Sequence, residues 1–362
     1  MAIKIPDYID KISPYVAGKP IDEVEREYGI SDSIKLASNE NPLGPSPKAM
    51  AAMQSAVSKA HRYPDEPGYG LLNRLSLHLD IPPEQIIVGN GSDEILGLLS
   101  TALLQPGDEV IIPKPSFLMY TIVAQTAGAD QVLVPLKEMT VDLDGILSRV
   151  TSKTRLIFIC NPNNPTGTIV TRSEFKRFLD ALPNDVVVVV DEAYADFVRD
   201  SRFSSGLAFL ERSTPVVTMR TFSKAYGLAG LRVGYGVMPI EMADLLNKVR
   251  MPFNVNSLAQ TAAAAALDDA VFLNQTVELV HKGLDDLYAE LEKRRMRFFP
   301  SQANFFLIDV ARDANGVFEA MLRQGVIVRS MKSYGYPQYI RINVGLPEEN
   351  QRFLTALDQV LK

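Results

Sequence analysis

Two apolar runs, LIFIC (156–160) and VVVVV (186–190), constrain the fold of this chain more than any other feature. Each is short for a helix and too unbroken for a strand with one wet face. Each therefore fits a strand buried on both sides, as in a parallel sheet covered by helices. The segments around them alternate in pattern. IIVGN (86–90), DEVIIPKP (108–115) and PVVTMRTFSK (215–224) read as strands. KAMAAMQSAVSKA (48–60), GLLNRLSLHL (70–79), SDEILGLLSTALL (92–104), SFLMYTIVAQTAG (116–128) and SEFKRFLDAL (173–182) read as helices. Such alternation predicts an open, mostly parallel α/β sheet flanked by helices.

The texture changes beyond Pro252. Residues 257–295 read as about two long helices, followed by ANFFLIDV (303–310), GVFEAMLRQG (316–325), VIVRS (326–330), YIRINVG (339–345) and a last helix. This strand-helix-strand-strand-helix tail predicts a smaller α+β domain. Residues 1–30, with several prolines and the amphipathic piece IDEVEREYG, read as an arm that packs on something else. The expected division is a large domain over 31–252, with 1–30 and 253–362 together forming the small one.

Charge and composition remove several classes of function. With 37 basic against 43 acidic residues, a net charge of −6 and no basic stripe, nucleic acid is not an expected partner. No apolar run approaches the ~20 residues of a membrane span. The first residues lack a signal or transit pattern, so the expected location is the cytoplasm. The single cysteine, Cys160, forms no internal disulfide, and His61, His78 and His281 have no metal-ligand spacing, so no metal is expected. Cys160 reads as a small buried hydrophobe, since no histidine is placed near it to activate a thiol.

In open α/β sheets ligands bind at the carboxyl ends of the strands. Four polar stretches stand there: GNGSDE (89–94), NPNNPTG (161–167), DEAY (191–194) and TFSKAYG (221–227). In GNGSDE the glycines permit a tight turn and the helix that follows offers backbone N–H groups to an anion, a phosphate above all. A dinucleotide fingerprint would need a third glycine where Glu94 stands, and a plain helix capped by Ser92 is the other alternative. The asparagines of NPNNPTG could merely bond their own loop. Asp191, ending an apolar strand, calls for a cationic partner, which could be Arg220 or Arg232. Lys224 could be a surface loop lysine, or an amine brought toward neutrality by burial and nearby cations. One cofactor uses all of these parts. Pyridoxal phosphate has an aldehyde that takes a lysine, a ring nitrogen that takes an acid and a phosphate that takes a helix N-terminus.

The motifs extend the match. KLASNENPLGPSPKA, YPDEPGYGLLNRL, GNGSDEI, PSFLMY, CNPNNPTGT, DEAYADF, RTFSKAYGLAGLRVGYG, PFNVNSLAQ, SQANFFLI and YIRINVG, with YVAGKPIDEV before them, span about residues 15–345. On them the chain resembles the fold-type I pyridoxal-phosphate aminotransferases, and within these the histidinol-phosphate aminotransferases. The resemblance implies a seven-stranded sheet in the large domain and a homodimer with shared active sites. It implies that Lys224 bonds the cofactor and moves the substrate proton, that Asp191 pairs with the ring nitrogen, and that Tyr194 and Asn164 bond the ring hydroxyl. Phe117, where relatives also carry tyrosine, would stack on the ring. Gly91, Ser92, Asp93, Ser223 and Arg232 would hold the phosphate, with Tyr63 reaching it from the other subunit. Arg341 would grip a substrate carboxylate, and Arg329, Tyr15 and Asn39 would line the substrate side, Arg329 facing a substrate phosphate. The implied reaction is amino transfer from histidinol phosphate to 2-oxoglutarate. Threonine-phosphate decarboxylases and aromatic or broad-range aminotransferases share much of this motif set, and the YxxGKP and SNENPLGPSP segments favour the first reading.

Overall fold

The computed structural model describes residues 3–14, 18–66 and 68–362. A seven-stranded sheet runs in the order Ile86–Gly89, Gly234–Val237, Val216–Thr221, Val187–Asp191, Thr154–Cys160, Glu109–Lys114, Asp130–Pro135. Only Gly234–Val237 runs against the others. The apolar runs occupy the middle, as their two-sided hydrophobicity requires. Val187, Val189, Phe158 and Cys160 face the helices Ser92–Leu103, Met119–Thr126 and Ile240–Val249 on one side. Val188, Val190, Ile157 and Ile159 face the helix Arg172–Ala181 on the other, which opens on a capping box between Thr171 and Glu174.

Two of the seven strands carry no clear sequence signal. Asp130–Pro135 lies at the sheet edge and buries only Val134 deeply, so its apolar pattern is weak. Gly234–Val237 is diluted by glycine for a steric reason. A Cβ on Gly234 would stand 2.6 Å from the backbone nitrogen of Ser92.

A second sheet, antiparallel, has the order Arg329–Ser330, Tyr339–Asn343, Phe305–Asp309, Phe298–Phe299. It packs with the helices Ala270–Lys293, Ala314–Arg323 and Pro347–Leu361 in one core. VIVRS is divided, because Val326–Ile327 pairs in parallel with Ile34–Lys35 while Arg329–Ser330 joins the antiparallel sheet. Leu36 consequently belongs to the core of this second unit. Conversely, helix Ser257–Ala266 buries Ala259, Ala262, Ala263 and Ala266 with Leu71, Leu75 and Val88 beside the large sheet. The packing thus exchanges short segments across residues 31 and 252.

The N-terminal arm packs in two places. Helix Asp7–Asp10 lies by helix Met119–Thr126, where Tyr8 comes within 3.2 Å of the Cβ position of Gly128. Helix Ile21–Tyr28 buries Val24 with Leu322 and Ile327 of the second unit. Among the described residues no helix is long and apolar enough to cross a membrane.

Candidate active site

The four polar stretches meet at one cavity of about 380 Å³. Ser92, Asp93, Phe117, Asn164, Asp191, Tyr194, Ser223, Lys224 and Arg232 line it, together with Ser38, Glu40 and Cys160. The size suits one small cofactor with part of a substrate.

At one end stands the N-terminus of helix Ser92–Leu103. Its cap residue is Gly91, not Ser92, and no side chain closes the end. Gly91 has φ 78°, and a Cβ there would meet Arg232 Nη2 at 2.6 Å. The glycine is required on both counts. Arg232 reaches back as the sequence suggests, its Nη1 donating to Ser223 Oγ at 3.3 Å and its Nη2 to Asp93 Oδ2 at 3.4 Å. Glu94, where a dinucleotide loop would need glycine, accepts from the Asn90 backbone N–H and from Asn254 Nδ2 at 2.7 Å. An uncapped helix start with an arginine across it is a cradle for a dianion.

At the floor, Asp191 is buried at the end of its strand. It pairs with neither Arg220 nor Arg232. Arg220 holds Glu192 (Nη2 to Oε2, 2.9 Å), whose fully buried carboxylate also accepts from Ser205 Oγ and the Gly206 N–H. Arg232 bonds Asp93 and Ser223 at the helix start. Asp191 instead accepts from Tyr120 at 2.8 Å and from the Ala193 N–H at 3.1 Å. Burial pushes its carboxyl up to about 6, against these two hydrogen bonds. Among the described residues no cation forms a salt bridge with it. A protonated ring nitrogen would supply that charge.

Lys224 is partly buried, not a surface lysine. Its Nζ donates to the Ser38 carbonyl at 3.2 Å and lies 5.7 Å from the centre of the Tyr194 ring. Burial, and then the charge of Arg341, bring its ammonium down to about 8. That shift makes the amine available near neutral pH. Tyr194 Oη accepts from Asn164 Nδ2 at 3.4 Å and from Asn39 Nδ2 at 3.0 Å.

NPNNPTG divides its work among three asparagines. Asn161 bonds the backbone of Val170 in both directions, and Asn163 bonds Ser116, Thr166 and the Pro115 carbonyl. Both build the loop. Asn164 alone reaches the cavity, where its Oδ1 accepts from Arg341 Nη1. Arg341 is buried behind it, with Nη2 on the Ala37 carbonyl at 2.9 Å. Arg329 is opposite Arg341 in strand register, and neither forms the cavity wall described above. Asn39 lies beneath Tyr194 rather than in that wall, at φ 57°. Tyr15 lies outside the described residues. Tyr63 is 81% exposed, stacks on Phe253 at 4.7 Å, and is not part of its own chain's cavity wall. Cys160 is buried, its thiol pushed up by burial, and it points at the Pro162 carbonyl at 3.2 Å, which does not suit a nucleophile.

Ser38 and Glu40 in the cavity wall and Tyr120 beneath it carry no sequence signal of their own. The first two flank Asn39 in SNEN, and Ser38 acts through its backbone carbonyl, which no side-chain pattern reveals. Tyr120 stands one helical turn from Phe117, a spacing that could have found it.

The donor set fits pyridoxal phosphate: an anion cradle, a buried acid, an amine and an aromatic wall around one cavity. The chain belongs to the class I and II aminotransferases, whose family model matches residues 31–357. It is 48% identical over 365 residues, covering 100% of this chain and 96% of the other, to a histidinol-phosphate aminotransferase of Desulfotalea psychrophila. A histidinol-phosphate aminotransferase of Moorella thermoacetica is 45% identical over 99% of this chain and 93% of its own. The solved histidinol-phosphate aminotransferase of Sinorhizobium meliloti, in complex with pyridoxal-5'-phosphate, superimposes with a TM-score of 0.92 at 26% identity, over 100% of this chain and 98% of that one. This protein is a pyridoxal-phosphate-dependent aminotransferase.

Proposed function

We propose that the protein transfers the amino group of histidinol phosphate to 2-oxoglutarate, as a cytoplasmic homodimer. The observation that carries the chemistry is the placing of Lys224, Asp191 and the uncapped helix start around one cavity. The substrate follows from full-length relatives that carry that name. When bound, pyridoxal phosphate supplies an aldehyde that condenses with amines and a ring that withdraws electrons from the carbon beside the nitrogen.

The chain's own residues do the rest. Gly91, Ser92 and Asp93 backbone groups, with Ser223 and Arg232, hold the phosphate. Phe117 covers a ring face, and Tyr194 and Asn164 hold the ring hydroxyl. Asp191 keeps the proton on the ring nitrogen. Lys224, with its proton affinity lowered to about 8, takes the proton from the substrate carbon and returns it. Arg341 and Arg329, adjacent in strand register, form the cationic side that receives a carboxylate from one substrate and a phosphate from the other. Asn39 supports that side from beneath, through its bond to the Tyr194 hydroxyl. Tyr63, exposed beside Phe253, reaches the phosphate of the partner's cofactor.

Half-reactions with histidinol phosphate, threonine phosphate and phenylalanine provide the test. Histidinol phosphate is expected to convert the cofactor to its amine form fastest, without release of carbon dioxide. Faster conversion by phenylalanine, or carbon dioxide from threonine phosphate, would overturn the substrate assignment while leaving the class intact.

A further inference from the structure

We propose that Tyr120 is a positioning residue that keeps Asp191 ionised, by donating its hydroxyl proton to the carboxylate facing the cofactor's ring nitrogen. This rests on the reading of Asp191 as the partner of that nitrogen.

Tyr120 is in the first turn of helix Met119–Thr126 and is fully buried. Its ring stacks on Phe158, with centroids 4.8 Å apart and planes within 5°, and meets Phe117 edge-on at 5.6 Å. Held on two sides, the ring delivers its hydroxyl to Asp191 Oδ2 at 2.8 Å. The other acceptor within reach is Cys160, a neutral thiol whose own proton points at the Pro162 carbonyl. A carboxylate is the much stronger acceptor, so the phenol proton goes to Asp191. Phenylalanine would fill the same stack. The hydroxyl is therefore not needed for packing, and burying it is unfavourable unless it is bonded.

The groups facing Asp191 come from several elements. Tyr120 comes from its helix, Cys160 from the neighbouring strand, Asp93 from the anion-binding helix, and Glu192 and Tyr194 from the same segment. Burial and the charges of Asp93 and Glu192 favour the neutral acid, whereas Tyr120 and the Ala193 N–H favour the anion. Tyr120 is the only side chain among them that acts to lower the proton affinity. With its hydrogen bond, Asp191 remains the anion and the ring nitrogen carries the proton. Without it, the proton moves toward Asp191 and the ring withdraws electrons less well. Phe117, just before the helix, thus stacks on the ring, and Tyr120, in its first turn, tunes it.

The test compares wild type, Tyr120→Phe and Asp191→Asn holoenzymes reconstituted with cofactor labelled with nitrogen-15 in the ring, whose NMR shift separates protonated from unprotonated nitrogen. Wild type is expected to read protonated at neutral pH, Asp191→Asn unprotonated, and Tyr120→Phe between the two. In Tyr120→Phe the cofactor Kd should rise about tenfold, the loss of one hydrogen bond to a charged group, and kcat should fall with KM unchanged. A Tyr120→Phe enzyme with the wild-type shift and Kd overturns the role of Tyr120. An Asp191→Asn enzyme with the wild-type shift overturns the reading beneath it. A second measurement follows the carbon-13-labelled Asp191 carboxyl in the apoprotein. It should titrate higher in Tyr120→Phe, and an unchanged titration overturns the proposal even where the variant holds cofactor weakly.

Discussion

Asp191 and Lys224 have opposite shifts with the same leading cause, and the pH dependence of the apoprotein follows from both. The unfolded carboxyl titrates near 3.8 and the folded one near 6, so between these values the folded state holds the extra proton. Stability falls as pH rises through that window. For Lys224 the folded value is about 8 and the unfolded one 10.5, so there the unfolded chain holds the extra proton and stability rises with pH. The apoprotein should be least stable between these windows, each group contributing on the order of 3 kcal/mol. Denaturant unfolding of the apoprotein on either side of each window measures it. Asp191→Asn should abolish the acid-side fall, and an undiminished fall in that variant would show that another group titrates. Legibility at this scale depended on what each residue uses. Lys224, Asp191 and Asn164 bring side chains to the cavity from the end of a strand or the loop just after one, a position a sequence pattern shows. Ser38 acts through its carbonyl, and the partner of Asp191 was sought among arginines although the fold supplies a phenol and a backbone N–H.

At the scale of elements, the start of helix Ser92–Leu103 is shaped by what it lacks. No side chain caps it, and Gly91 leaves the space that the Arg232 guanidinium fills. Gly91→Ala should weaken cofactor binding by at least about tenfold, since a methyl group would displace Arg232 and oppose the left-handed backbone. Titration of the apoprotein with cofactor checks this, and near-wild-type affinity would mean that the arginine does not serve the phosphate. The central strands were legible because burial on both faces leaves an unbroken apolar run. Asp130–Pro135 was not, because an edge strand shares its faces with water, and Gly234–Val237 was not, because close backbone approach to Ser92 calls for glycine. VIVRS looked like one strand because a change of sheet between Ile327 and Arg329 leaves no mark in hydrophobicity.

For the whole molecule, Tyr63 is one of several large apolar side chains left exposed. A tyrosine 81% exposed and stacked on Phe253 at the surface suits a contact made in a partner. Mixing Tyr63→Ala with Lys224→Ala protein should restore part of the activity that each lacks, because one of the two mixed sites is then intact. Absence of any recovery in a demonstrated mixed dimer would place Tyr63 outside the partner's site. The change of texture near Pro252 coincides with the start of the segment that carries the antiparallel sheet, but the packing does not respect that point in the sequence. The strand Ile34–Lys35 and the helix Ser257–Ala266 each pack away from their neighbours in sequence, which only tertiary contacts decide. Asp191 and Glu192 are consecutive acids with different fates. Glu192 is neutralised by Arg220, whereas Asp191 has hydrogen bonds but no salt bridge among the described residues. A cation bound from outside the polypeptide, such as a protonated ring nitrogen, would complete the charge at this one site. Cofactor supply is then expected to act on the lifetime of this protein as well as on its turnover, since a ligand that binds only the folded state draws the population away from the unfolded forms that proteases degrade.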